Sequence, residues 1–250
     1  MFYYTKNDAI ILPISLVVIV GLSIALAFLL KGKSQKLRKL PLQILAVFVV
    51  CCEIAKQIYY SFQDFTLYVL PLHFCSLFII LLPLSQLCGE KVGKIFKPVA
   101  IVYGIIMMFI FYLNPHSVIG SACNGVFANF HNWHTFFFHH AVIFYFVLSF
   151  ALGDCSPKIT DCIAVSGGVV FYASYAIPCA FALNQNYTNI LYSSFAPFEQ
   201  FRLWAGQVWY DIVLFLIAIA FINLIFFTYY FIDRGVKKHK EAKTKIATLG

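Results

Sequence analysis

Five short groups of polar side chains interrupt an otherwise apolar chain of 250 residues, and between them they hold a thiol, several imidazoles and a lysine-carboxylate pair. Glu53 and Lys56 stand three residues apart, on one face of a helix. The run LYVLPLHFCSLFIILLP, from Leu67 to Pro83, carries His73 and Cys75 near one end. HNWHTFFFHH contributes His131, His134, His139 and His140, and NQNYTN contributes Asn186 and Asn189. Gln207 and Asp211 lie one helical turn apart. A thiol with an imidazole is the machinery of covalent acyl transfer: the thiolate attacks a carbonyl carbon and the imidazole takes and returns the proton. Two imidazoles without the thiol act instead as bases on a hydroxyl.

Spacing constrains each group. With Pro71 at the first position of a helix, His73 and Cys75 fall in its first turn but about 200° apart, so both face one pocket only if the turn is irregular. His139 and His140 are neighbours, and only one of them faces inward. HNWH lacks the glutamate that makes HExxH a catalytic zinc motif, so no metal ligand set is assigned and no cofactor is expected. A charge at membrane depth costs at least about 2.5 kcal/mol, so Glu53 and Lys56 either face the interior of a bundle or pair while Lys56 reaches to the surface.

The elements that must position these groups are membrane spans. The sequence is 62% hydrophobic and 11% charged, with a mean hydropathy of +0.84, which places it among integral membrane proteins. A span needs about 20 apolar residues. Seven runs qualify: Ala9–Leu30, Leu40–Tyr60, Leu67–Cys88, Ile95–Leu113, Thr135–Leu152, Ile159–Leu183 and Gln207–Ile232. Lysine and arginine fill the first, third and fifth connections and the tail, which predicts an external N-terminus and a cytoplasmic C-terminus. The expected architecture is an all-α polytopic bundle of about seven transmembrane helices, a single membrane domain over residues 1–236 and a basic, solvated cytoplasmic tail over 237–250. The net charge of +8 is then accounted for by an anionic membrane surface, and nucleic-acid binding is not expected. The eight cysteines form no CxxC and read mostly as small apolar packing residues.

This topology delivers the polar groups of five spans to one depth, the outer third of the bilayer, as a site between helices requires. In order along the chain, Glu53-x-x-Lys56, LPLHFCS, FFFHHAVIFYFV, NQNYTNILYSSFAPF and FRLWA resemble the YwaF-type bacterial integral membrane proteins and the related mammalian transmembrane protein 164 acyltransferases. The resemblance covers Glu53 to Ala205. It implies a multi-pass protein of the cell membrane that moves an acyl chain between phospholipid and lysophospholipid, with membrane phospholipids as partners. The mammalian members use a cysteine between the proline and histidine of the third-span motif and a histidine in the fifth span. Pro71 and His73 match, His140 matches the fifth-span histidine, and Leu72 occupies the cysteine position, with Cys75 three residues further on. The implied roles are Cys75 as nucleophile, His140 as base, and His73 or Asn189 at the oxyanion. Glu53, Lys56, Asn186, Asn189 and Asp211 would bind the substrate. A small-solute or proton-coupled transporter built on the same polar layer is the alternative.

Overall fold

A computed structural model describes residues 4–63, 65–193 and 195–249; residues 1–3 and Gly250, at the ends of the expected domain and tail, lie outside the described residues. The architecture is all-helical, with no strand among the described residues. The α-helices are α1 (Lys6–Leu29), α2 (Gln35–Ser61), α3 (Phe78–Gln86), α4 (Gly89–Leu113), α5 (His116–Ile119), α6 (Phe130–Leu152), α7 (Asp161–Leu183), α8 (Ala196–Ala205) and α9 (Gln207–Leu249). Five of them, α1, α4, α6, α7 and α9, are long and apolar enough to cross a membrane. The 27 residues of α2 reach about 40 Å at 1.5 Å per residue, enough for a span, although Glu53 and Lys56 interrupt its apolar character.

The expected third span is corrected by the structure. Leu67–Cys88 is not one helix: Leu67–Val69 and Phe74–Leu77 are 3₁₀ turns, and the α-helix begins only at Phe78. Pro71 is the physical reason. It has no N–H to donate and pushes the residue before it out of the helical region, and Leu70 accordingly sits at φ −57°, ψ 149°. His73 is extended as well, at φ −76°, ψ 155°. Pro71 therefore does not open a helix, and the irregular turn releases His73 and Cys75 from the 200° separation of a regular one.

The core is organised around α4 and α6. α6 packs against α1, α2 and α4, and α4 also meets α3, α7 and α9. Two glycines permit close approaches between long helices. A Cβ on Gly104 of α4 would stand 2.9 Å from the Phe146 Cβ of α6, and one on Gly168 of α7 would strike the Tyr103 hydroxyl, which donates to the Val165 carbonyl at 2.9 Å. The caps follow sequence chemistry. Thr5 and Asp8 form a reciprocal capping box on α1. Asn129 caps α6 through the Asn132 N–H, and Gly153 ends that helix in the left-handed conformation at φ +62°. α1 buries little beyond Asp8, Leu12, Ile19 and Ser23, so most of its surface remains for lipid. α9 stays helical to Leu249, past its apolar part, which ends at Ile232.

Candidate functional site

The broken segment between α2 and α3 is the centre of the polar layer. Irregular backbone at membrane depth must have its polar groups satisfied by protein, and here side chains from three other parts of the chain do so. Gln57 of α2 donates to the Val69 carbonyl at 2.9 Å, Tyr187 to that of Leu67 at 2.5 Å, and Tyr172 of α7 to that of Leu72 at 2.9 Å. The Phe74 N–H donates to the Thr188 hydroxyl at 3.0 Å, and that hydroxyl also meets Tyr172 at 2.7 Å. Thr188 holds this position at φ +52°, in the left-handed region that a β-branched residue rarely adopts, next to Asn189 at φ +61°. Such strain persists only where the surroundings enforce it.

His73 hangs from this segment. Its Nε2 lies 3.2 Å from the Tyr68 carbonyl, its ring edge-on to Tyr68 and Tyr187 at centroid distances of 4.6 and 5.2 Å. A carbonyl only accepts, so Nε2 carries the proton and Nδ1 presents a lone pair. Beside it on α2, the Glu53 carboxylate, 5% exposed, accepts from Lys56 Nζ at 2.8 Å and Gln57 Nε2 at 2.7 Å. The sequence pair is thus an ion pair turned into the protein, and both of its charges act electrostatically on His73 and on the half-buried Cys75.

The fifth-span histidines divide between two faces of α6. His139 donates from Nδ1 to the Thr135 carbonyl at 2.7 Å, which leaves Nε2 as a bare acceptor, buried and without a hydrogen-bond partner among the described residues. It interacts electrostatically with Lys56 and His73. His134 Nε2 is likewise buried and unpartnered, and its ring also lies in the field of Lys56. His131, at the start of the helix, meets the Tyr60 hydroxyl at 2.8 Å. His140 points elsewhere: Nδ1 donates to the Phe136 carbonyl at 2.7 Å and Nε2 meets the Ser15 hydroxyl of α1 at 2.8 Å, with Phe111 and Phe136 against the ring. Both imidazoles are buried: His140, the base that the resemblance implies, faces Ser15 of α1, and His139, one residue and about 100° of helix away, faces Lys56 and His73. Among the described residues no group of three or more His, Cys, Asp or Glu side chains is arranged to hold a metal ion.

The remaining sequence candidates form a separate clasp. Asn186 accepts from the Leu191 and Tyr192 N–H groups at 2.9 and 3.3 Å and donates to the Tyr192 carbonyl at 3.0 Å. The Asn189 carbonyl accepts from the Tyr210 hydroxyl at 2.5 Å. Asp211 accepts from Gln207 at 3.0 Å, and Gln207 also holds the Ile190 carbonyl at 2.8 Å. These three residues shape the 184–193 loop that carries Tyr187 and Thr188 to the site; Asp211 is not brought to His73. Outside the membrane, the Glu199 carboxyl of α8 is held down at about 2 by the Arg202 guanidinium and the Ser193 N–H, which latches the far end of this loop. Gln57, Tyr172 and Thr188 are the participants that sequence reasoning missed. Thr188 at least stands inside the NQNYTN motif, whereas Tyr172 has no local signal.

The profile of the TMEM164 family matches residues 2–229, nearly the whole chain. The chain belongs to the TMEM164 family. Comparison with curated proteins and with solved structures gave no match. The family match spans every element of the polar layer, and with five apolar helices of spanning length it makes this TMEM164-family chain a multi-pass membrane protein.

Proposed function

We propose that this TMEM164-family protein transfers acyl chains between phospholipid and lysophospholipid at the His73 layer, and that it is a YwaF-type bacterial member seated in the cell membrane with this layer toward the outer leaflet. The observation that carries the reading is the state of His139. A buried imidazole whose Nδ1–H is fixed to a carbonyl and whose Nε2 is bare is a base held in one tautomer. Cys75 supplies the nucleophile. Its S–H proton passes to His139 Nε2, the sulfur forms a bond to the ester carbonyl carbon, and the C–O bond breaks as the lysophospholipid oxygen takes the proton from the imidazolium. The acceptor hydroxyl then gives its proton to the same nitrogen and attacks the thioester, and the C–S bond breaks to restore the thiol. Lys56, held by Glu53, faces the negative charge that develops on the carbonyl oxygen, and His73 orders the segment that presents Cys75.

The test is mass spectrometry of lipids after incubation of the purified protein with a phospholipid donor and a lysophospholipid acceptor. Transfer is expected to be lost in Cys75→Ala and His139→Ala and retained in His140→Ala. Loss in the histidine variants alone would move the nucleophile away from Cys75. No transfer or hydrolysis by the wild type across several lipid classes would overturn the reading and favour a binding or transport role for the same layer.

A further inference from the structure

The end of the bundle opposite His73 holds a cavity of about 1000 Å³, lined by the start of α2, the start of α4, and the turn between α6 and α7. Along α2 its nearest lining residue, Gln43, lies ten residues from Glu53, about 15 Å away at 1.5 Å per residue, so it is not part of the acyl-transfer layer. Five cations line it, Arg38, Lys39, Lys94, Lys97 and Lys158, against the carboxylates of Glu90, Asp154 and Asp161. The carboxylates are engaged. Glu90 pairs with Lys94 at 2.8 Å, Asp154 with Lys97 at 2.6 Å, and Asp161 accepts the Lys158 N–H at 2.8 Å. Among the described residues Arg38 pairs with no carboxylate and meets a neutral carbonyl, that of Leu152, at 2.5 Å, and so brings its charge to the cavity rim.

A second feature points to the same ligand from the opposite polarity. Gln86 lines the cavity, is 8% exposed, and donates from Nε2 to the Tyr145 hydroxyl and to Asp154 Oδ2, both at 2.8 Å. The carboxylate contact fixes the orientation of the amide, because a carboxylate accepts and the nitrogen must face it. Gln86 Oε1 is therefore an acceptor, and it is buried without a hydrogen-bond partner among the described residues. A buried orphan acceptor costs about 1–3 kcal/mol until a donor reaches it.

We propose that this cavity is a binding site for a phosphate ester of a polyol: the cations take the phosphate, and a hydroxyl of the polyol donates to Gln86 Oε1. Basic pockets between helices on the lysine-rich side of a membrane protein bind anionic head groups by the same physics. The polyol phosphate comes either as the head group of an anionic phospholipid or as a soluble ester, and the experiment separates these. Native mass spectrometry of the full chain, released from detergent with defined lipids, would compare retention of phosphatidylglycerol, phosphatidic acid and phosphatidylcholine, with glycerol phosphate as soluble competitor. Preferential retention of phosphatidylglycerol supports the site with a lipid source; binding of glycerol phosphate without lipid preference supports it with a soluble one. Lys39→Gln and Lys158→Gln are each expected to weaken retention about fivefold, whereas Lys33→Gln and Lys36→Gln, basic residues of the same end but outside the cavity lining, leave it unchanged. Equal weakening in all four variants would show diffuse surface attraction and overturn the site. Equal retention of phosphatidylglycerol and phosphatidic acid would overturn the role of Gln86, and retention of phosphatidylcholine to the same degree, with no binding of glycerol phosphate, would overturn the proposal outright.

Discussion

Two lysine-carboxylate pairs sit at opposite ends of the bundle with nearly the same burial: Lys56–Glu53 at 2.8 Å, with side chains 14% and 7% exposed, and Lys97–Asp154 at 2.6 Å, with 14% and 8%. Their surroundings differ. Around Lys97–Asp154, the neighbours Gln86, Ser85 and Tyr145 hydrogen-bond to one another and to the pair, and the orphan that remains is an amide oxygen at a cavity. Around Lys56–Glu53 stand imidazoles, two of them with bare buried nitrogens, and a thiol on an irregular backbone. A buried ion pair by itself marks neither stability nor chemistry. What distinguishes the ends is whether the adjacent groups can move a proton, and the proposed reaction and the proposed binding site divide along that line.

The sharpest way to break this contrast is at the imidazoles. His139→Ala should reduce acyl transfer by about 10²- to 10⁴-fold in the lipid assay, the usual weight of a general base, while His140→Ala keeps transfer and lowers only the melting temperature. At the other end the effect should fall on folding. Asp154→Ala leaves Lys97 buried without its charge partner and should cost about 3–5 kcal/mol in thermal or denaturant unfolding, and the double variant Lys97→Met with Asp154→Leu should recover most of it. Recovery of acyl transfer by the analogous double change Glu53→Leu with Lys56→Met would erase the distinction between the two pairs.

The middle of the molecule sharpens the comparison further. Tyr172→Phe removes the donor to the Leu72 carbonyl and should cost about 1–3 kcal/mol, together with transfer activity, because the segment that carries His73 loses an anchor. Gly104→Ala should cost a similar 1–3 kcal/mol through overpacking against Phe146, but with the transfer activity of the folded fraction intact. The smallest effect is at α8. Glu199 is depressed relative to its unfolded value, so the latch with Arg202 contributes above the ordinary carboxylate range and is lost only as pH falls toward about 2. Protease nicking of the 184–193 loop should therefore stay constant from pH 7 to about pH 5, and Glu199→Gln should raise it at every pH in that interval.

The helical character of the chain and its five helices of spanning length were readable from apolar run length alone, and so was the Glu53–Lys56 pair, because three-residue spacing fixes which side chains share a helix face. The choice between His139 and His140 was not. Aromatic residues surround both on α6, so no polar face orients the helix, and the decision rests on Ser15, which is 125 residues away in the chain. The break at Pro71 was signalled by the proline, but a proline also fits the first turn of a helix, and only the donors Gln57, Tyr172 and Tyr187 and the Thr188 acceptor make the extended alternative affordable in lipid. Lys97–Asp154 spans 57 positions and leaves no local pattern at all.

The 67–77 segment has a consequence for how the protein is made. Its backbone is held by Tyr172, Tyr187 and Thr188, and the Phe74–Thr188 hydrogen bond alone spans 114 residues. At a synthesis rate of about 5–20 residues per second, the ribosome works for roughly 6–23 s after Phe74 before Thr188 exists. During that interval the Leu67 carbonyl and the Phe74 N–H lack their native partners and must stay at the translocon or in contact with water. Insertion of this protein is therefore completed from its C-terminal half backwards, and a ribosome stalled before Tyr172 leaves the nascent site exposed to quality-control proteases.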